Sequence, residues 1–172
     1  EYFERRPIDA TQMGDHRFDG TWPDVSKEGE AAFRDFAAAR LKELEAFKDE
    51  ELSLQNRVDK DILRTQLQYI VFAADELKEA ETSPLYYTSL IGDGLDPLVS
   101  REFTTLEERM KALLGRLRGV PKIVAVAKAR LANPALVHTE TAITQNKGLV
   151  GLVEKDLAAS FDKVPALKAD LT

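Results

Sequence analysis

Leu54-Gln-Asn-Arg-Val58-Asp-Lys-Asp-Ile62-Leu63-Arg-Thr-Gln-Leu67-Gln-Tyr69-Ile70-Val71-Phe72-Ala-Ala74-Asp-Glu-Leu77 is the stretch that decides the fold class. Its apolar residues recur at spacings of three and four, the period of a helix and not of a strand. Leu54, Val58, Ile62, Leu63, Leu67, Ile70, Val71, Ala74 and Leu77 form a stripe that Tyr69 and Phe72 widen. A helix apolar over so much of its circumference is expected to be central, touched from several sides.

The same period extends in both directions. Upstream, Phe33, Phe36, Ala37, Leu41 and Leu44 form a stripe behind Ser26, a fitting N-cap. Downstream, Ser83-Pro84 opens a third element, which Gly92-Asp93-Gly94 and Pro97 are expected to cut into short pieces. Thr105-Leu-Glu-Glu108 reads as a capping box, followed by Leu106, Met110, Leu113, Leu114 and Leu117 on one face and a Glu107–Lys111 pair on the other. Gly119 is expected to end that helix and Pro121 to open the next, which Asn133-Pro134 breaks. A last long helix is predicted from about Leu136 to Ser160, with a polar first half, and residues 163–172 read as the start of another.

The segment before these helices differs. Pro7 to Asp24 mixes turn formers with Phe18 and the only Trp, Trp22, without a sustained period, so residues 1–25 are expected to form an irregular arm that its aromatics anchor. The expected architecture is all-α: about six main helices over residues 26–172 in an irregular, mostly antiparallel array, with the arm across them as part of one domain.

Composition narrows the function. The 172 residues contain no Cys, which excludes disulfides, thiolate nucleophiles and Cys-ligated metals. A net charge of −6 repels phosphate backbones, so no nucleic-acid partner is expected. No apolar run approaches the roughly 18 residues a bilayer requires, so no transmembrane segment is expected. The chain begins at Glu1 without Met and reads as a trimmed or excised piece of a longer protein.

Candidate chemistry is sparse. The only histidines are His16 and His138, and no H-E-x-x-H is present. Asp15-His16 with Asp19 offers imidazole and carboxylate close together, as a metal site or a general base needs, or as an arm tied down by hydrogen bonds would show. His138 and Glu140 fall about 200° apart on a helix and cannot converge on one ion. Glu50-Glu51 and Glu107-Glu108 read as solvated helix ends, Gly92-Asp93-Gly94 lacks the strand and Lys of a phosphate loop, and Tyr86-Tyr87 is expected to pack against a neighbouring helix. Neither a catalytic residue nor a metal ligand set is assigned within the chain.

Several motifs in order carry a family likeness. Pro7-Ile-Asp-Ala-Thr-Gln-Met-Gly-Asp-His-Arg-Phe-Asp19 resembles the opening of the bacterial domain of unknown function 885. The likeness continues through Arg57-Val58-Asp59, Pro84-Leu-Tyr-Tyr87 with Gly92 and Gly94-Leu95, Glu107-Glu-Arg109, Arg116-Leu117, Pro121, and Asn133-Pro134 leading to His138-Thr-Glu-Thr-Ala-Ile143, Gln145 and Gly148. It covers nearly the whole chain.

The resemblance implies a longer, mostly helical protein, often with a signal or lipoprotein peptide, located in the cell envelope or secreted. Its C-terminal part would carry a His-Glu motif similar to the zinc sites of gluzincin metallopeptidases. On that basis the chain is expected to be the N-terminal helical region of a zinc-dependent, peptidase-like hydrolase. It would supply cleft wall and stability, with zinc and peptide substrate bound by the full-length protein, no cofactor held here, and the C-terminal domain as partner. Residues expected to face a cleft or to anchor the arm are His16, Arg17, Asp19, His138 and Gln145. The alternative is a free-standing, non-catalytic helical binding or scaffold module. A small metalloprotein using His16 and His138 is a third reading, which needs both histidines brought together.

Overall fold

The computed structural model describes residues 1–168, which contain helices and no strands. The last four residues of the helix expected at 163–172 lie outside the described residues; Pro165–Lys168 forms its first turn. The chain divides into two compact units, one of residues 25–79 and one that joins residues 1–24 to the chain from Ala80 onward.

The smaller unit is a helical hairpin. Helix α3, Lys27–Glu45, begins where Ser26 accepts a hydrogen bond from the Gly29 amide at 3.0 Å, the expected cap. Helix α4, Leu54–Phe72, begins the same way on Ser53 and continues into a π turn at Ala73–Leu77. A single 3₁₀ turn, Asp49–Glu51, joins them, so the helices run antiparallel. Polar side chains stitch the hairpin. Arg34 grips Asp75 through Nε at 3.1 Å and a terminal nitrogen at 2.8 Å, and Arg64 Nε donates to Glu45 at 2.7 Å. The buried Lys60 ammonium donates to the Phe47 carbonyl and to Asp49 at 2.7 Å, closing the turn.

Helix α4 is not the enclosed central element its composition predicts. Leu67, Ile70, Val71 and Ala74 are half-buried, whereas Leu54, Val58, Ile62, Leu63, Tyr69 and Phe72 stay exposed. The apolar girth is real, but the other residues of its own unit cover only part of it.

In the larger unit, Tyr2–Arg5 (α1) and Pro7–Gln12 (α2) occupy the segment expected to be irregular, followed by a 3₁₀ turn at His16–Phe18. Pro7 at the first helical position and Asp9 in the first turn favour α2 despite the absence of periodicity. After the short α5, Glu79–Thr82, helix α6 runs unbroken from Pro84–Ser100, through both glycines and Pro97. Helix α7, Leu106–Arg130, likewise passes through Gly119 and Pro121, merging two predicted helices. Thr105 caps α7 by accepting from the Glu108 amide at 3.3 Å. The Glu108 carboxylate accepts from the Thr104 and Thr105 hydroxyls instead of completing the box through the Thr105 amide. Glu107 and Lys111 pair at 2.7 Å, as expected.

Helix α8, Leu136–Gly151, lies against α6 and is followed by a π turn at Leu152–Leu157 and by α9, Ala158–Asp162. The core of this unit contains Tyr87, Leu95, Leu98, Met110, Leu113, Leu157 and Phe161. Tyr87 packs inward as predicted, and its hydroxyl donates to the Ala80 carbonyl at 2.8 Å. Among the described residues no helix is long and apolar enough to cross a membrane.

Candidate functional site

The most elaborate polar cluster sits where the N-terminal segment lies along α6 and α7. Its centre is Arg116, a fully buried guanidinium on α7. One terminal nitrogen donates to the Gly94 carbonyl, the other to the Thr11 hydroxyl at 2.7 Å and to the Pro7 carbonyl at 3.4 Å, and Nε donates to the Thr21 carbonyl at 3.3 Å. One side chain thus satisfies backbone carbonyls of α2, of α6 and of the loop after the 3₁₀ turn. Burial pushes its pKa down to about 10 while the nearby Asp19 carboxylate opposes the shift. The group remains a cation at neutral pH, and its hydrogen bonds offset the cost of its desolvation.

From Arg116 the network runs outward. Thr11 donates its hydroxyl proton to Asp19 Oδ1 at 2.6 Å, and Asp19 Oδ2 meets His16 Nδ1 at 3.0 Å. Asp19 is buried, while His16 reaches the surface. The imidazole stacks on Phe103 with centroids 3.7 Å apart and planes 3° from parallel. Two contacts therefore hold the ring, one in its plane and one over its face. This arrangement fixes a histidine orientation in the way carboxylate partners orient functional histidines, and it also ties the 3₁₀ turn to the segment before α7.

Trp22 locks the segment down. Its indole Nε1 donates to the Arg116 carbonyl at 2.7 Å, and the Arg116 guanidinium lies 5.8 Å from its ring centroid. The ring occupies a slot made by two glycines. A Cβ on Gly94 would fall inside contact distance of Trp22 Cη2 and Cζ3, and a Cβ on Gly119 would stand 2.7 Å from Nε1. Gly115 allows the same closeness to backbone, since its Cβ would lie 2.7 Å from the Gly20 carbonyl oxygen. The glycines that read as helix breakers are sockets.

The remaining expected residues lie elsewhere. Arg17 forms a two-pronged pair with Asp15 at 2.8 and 2.6 Å on the exposed side of the 3₁₀ turn, and this pairing holds the Asp15 carboxyl down to about 2. Gln145 on α8 accepts the Thr88 hydroxyl proton at 2.6 Å and joins α8 to α6. His138 is exposed in the first turn of α8. The structure brings together His16 and Asp19 as one hydrogen-bonded pair, with Arg17 beside it in the same turn.

Sequence reading missed Arg116 and the buried Arg109, which donates to the Leu98 and Val99 carbonyls at 3.1 Å and satisfies the end of α6. The signal was present in their spacing: Arg109 and Arg116 stand seven residues apart on the face that carries Met110 and Leu113. Among the described residues, no group of three or more His, Cys, Asp or Glu side chains could hold a metal ion. The two histidines lack a converged ligand set among these residues: His16 is paired with Asp19, and His138 stands on a helix without converging carboxylates.

Comparison with known proteins places this geometry. The solved structure of "a putative lipoprotein of unknown function from Shewanella oneidensis" superposes with a TM-score of 0.80 at 22% sequence identity, over 98% of this chain and 33% of that one. The likeness is one of fold, and the chain spans about a third of that protein's length. No curated protein matches. The family model for a bacterial protein of unknown function, DUF885, matches residues 7–172, from the proline that opens α2 to the end of the chain, so the chain belongs to the DUF885 family.

Proposed function

We propose that this chain is the N-terminal helical region of a longer, zinc-dependent hydrolase of peptidase type, in which it supplies cleft wall and mechanical support while other parts of the polypeptide supply the chemistry. The observation that carries this reading is the related structure, of which these residues match only 33% while nearly all of this chain is used. The rest of such a protein has room for the reaction centre that the described side chains do not form.

In this reading the His16–Asp19–Thr11–Arg116 network holds the N-terminal segment rigid against α6 and α7. Rigid support keeps a neighbouring site in productive geometry. His16, with its ring orientation fixed at the surface, is the side chain best placed to meet a partner group, and His138 and Gln145 would lie along α8 as further cleft-facing positions. A cell-envelope or secreted location fits the lipoprotein character ascribed to the Shewanella oneidensis relative.

The test is the complete gene product assayed against a pool of peptides, with and without a zinc chelator. Chelator-sensitive cleavage, together with a His-Glu motif encoded downstream of residue 172, is the expected result. A reading frame without such a motif, or a product that cleaves nothing under any metal supplement, removes the proposal and favours the non-catalytic scaffold.

A further inference from the structure

Within the unit of residues 25–79, helix α4 carries an apolar seam that its own neighbours leave open. Leu54, Val58, Ile62, Tyr69 and Phe72 are exposed by 79, 46, 55, 53 and 49%. With Thr65 they fall at intervals of four, four, three, four and three residues, the spacing that keeps one line along a helix. The opposite side of α4 carries Lys60, Arg64 and Leu67 and is the side tied to α3 and its turn. The seam is therefore a second face, about 27 Å long at 1.5 Å per residue.

The chemistry of the rim selects the occupant. The residues flanking the seam are Gln55, Arg57, Asp59, Asp61, Gln66 and Gln68, one cation against two carboxylates and so acidic in sum, within a chain of net charge −6. An amphipathic helix that lies on a membrane carries Lys and Arg on its flanks instead, so an anionic bilayer is disfavoured. A second copy of the chain is disfavoured by size. A strip 27 Å long and one helix wide offers about 300 Å², against the roughly 800 Å² per partner of a stable interface between separate molecules. A seam this narrow suffices where the partner is already tethered, because the translational cost of association is absent.

We infer that the seam of α4, from Leu54 to Phe72, is covered by an apolar helix face from the part of the same polypeptide that lies outside residues 1–172. This inference rests on the reading of the chain as one region of a longer protein. It identifies α4 of the 25–79 unit as a place where that longer chain packs.

The chain has no native cysteine, so a single introduced thiol in this region reports one position. In the complete gene product, with any cysteines outside residues 1–172 replaced by serine, Ile62→Cys should react with a maleimide more slowly than Glu43→Cys on exposed α3. The expected slowing is on the order of tenfold or more, since reaction must await local opening. Thr65→Cys, on the same seam, gives the same reading if Ile62→Cys disturbs folding. A photo-crosslinking phenylalanine analogue replacing Tyr69 should then join, within one chain, to residues beyond 172. Labelling of both seam cysteines as fast as Glu43→Cys overturns the inference, as does a crosslink to residues 1–172, to a second copy or to lipid. A protected seam in a product without hydrolase activity refutes the functional reading and leaves this one standing; an active hydrolase with an open seam does the reverse.

Discussion

Replacing Gly94 by Ala places a methyl group where the Trp22 ring now lies. Taken alone, the substitution favours the folded state, because Ala exceeds Gly in a helix interior by about 1 kcal/mol. The structure reverses the sign. The new Cβ would overlap Trp22 Cη2 and Cζ3 and approach Cε3 at 3.4 Å, so the ring must retreat by about 1 Å to recover ordinary carbon–carbon contact. It cannot do so freely, since Gly119 presses on the far side of the indole and Nε1 is held by the Arg116 carbonyl at 2.7 Å. Overpacking of this kind costs about 1–3 kcal/mol. Gly148 on α8 is the matched control, with nothing within 4 Å of the point its Cβ would occupy. Urea denaturation should show Gly94→Ala destabilised by about 1–3 kcal/mol and Gly148→Ala neutral or stabilised by up to about 1 kcal/mol. Because Trp22 is the chain's only tryptophan, its emission should shift to the red in Gly94→Ala alone. Equal stabilisation of both variants with unchanged emission would refute the socket.

Two further outcomes follow from the polar network and the N-terminal turn. Arg116→Met should cost about 3–5 kcal/mol in urea denaturation, because it strips donors from buried carbonyls and leaves Asp19 without its cation, and Arg116→Lys should rescue little of it, lacking the planar fork. Tyr2 is pushed up to about 12, first by burial and then by its hydrogen bond to Asp9 at 2.7 Å. Its folded pKa lies above the ordinary value of 10.0, so its contribution is complete below pH 10 and is lost as pH rises toward about 12. An ultraviolet titration of phenolate should show one tyrosine ionising late, and Asp9→Asn should bring it lower.

Much of the helical framework was legible in the sequence because it rests on local physics. Ser26 and Thr105 accept the amides their positions predict, and Glu107 and Lys111 pair within one turn. What was not legible depended on distant partners. Gly94 and Gly119 have the local meaning of helix breakers, yet each is retained inside a long helix because Trp22 arrives from far away in sequence. A breaker's cost of about 1 kcal/mol is small enough for such packing to outweigh. Arg109 and Arg116 stood in the sequence only as landmarks of a family likeness, because sequence alone does not display the carbonyls that receive them. The His16–Asp19 pair was visible as a spacing of three, but its continuation through Thr11 into Arg116 required the fold. For α4 the sequence showed how much apolar surface needs a partner without showing where the partner comes from.

A reaction centre outside these residues is tested most directly by zinc content. The complete gene product and its His16→Ala, His138→Ala double variant would be purified and measured by elemental analysis. About one zinc per polypeptide is expected in both. Zinc that disappears with the two histidines, or that is absent from the unaltered protein after zinc loading, would contradict it.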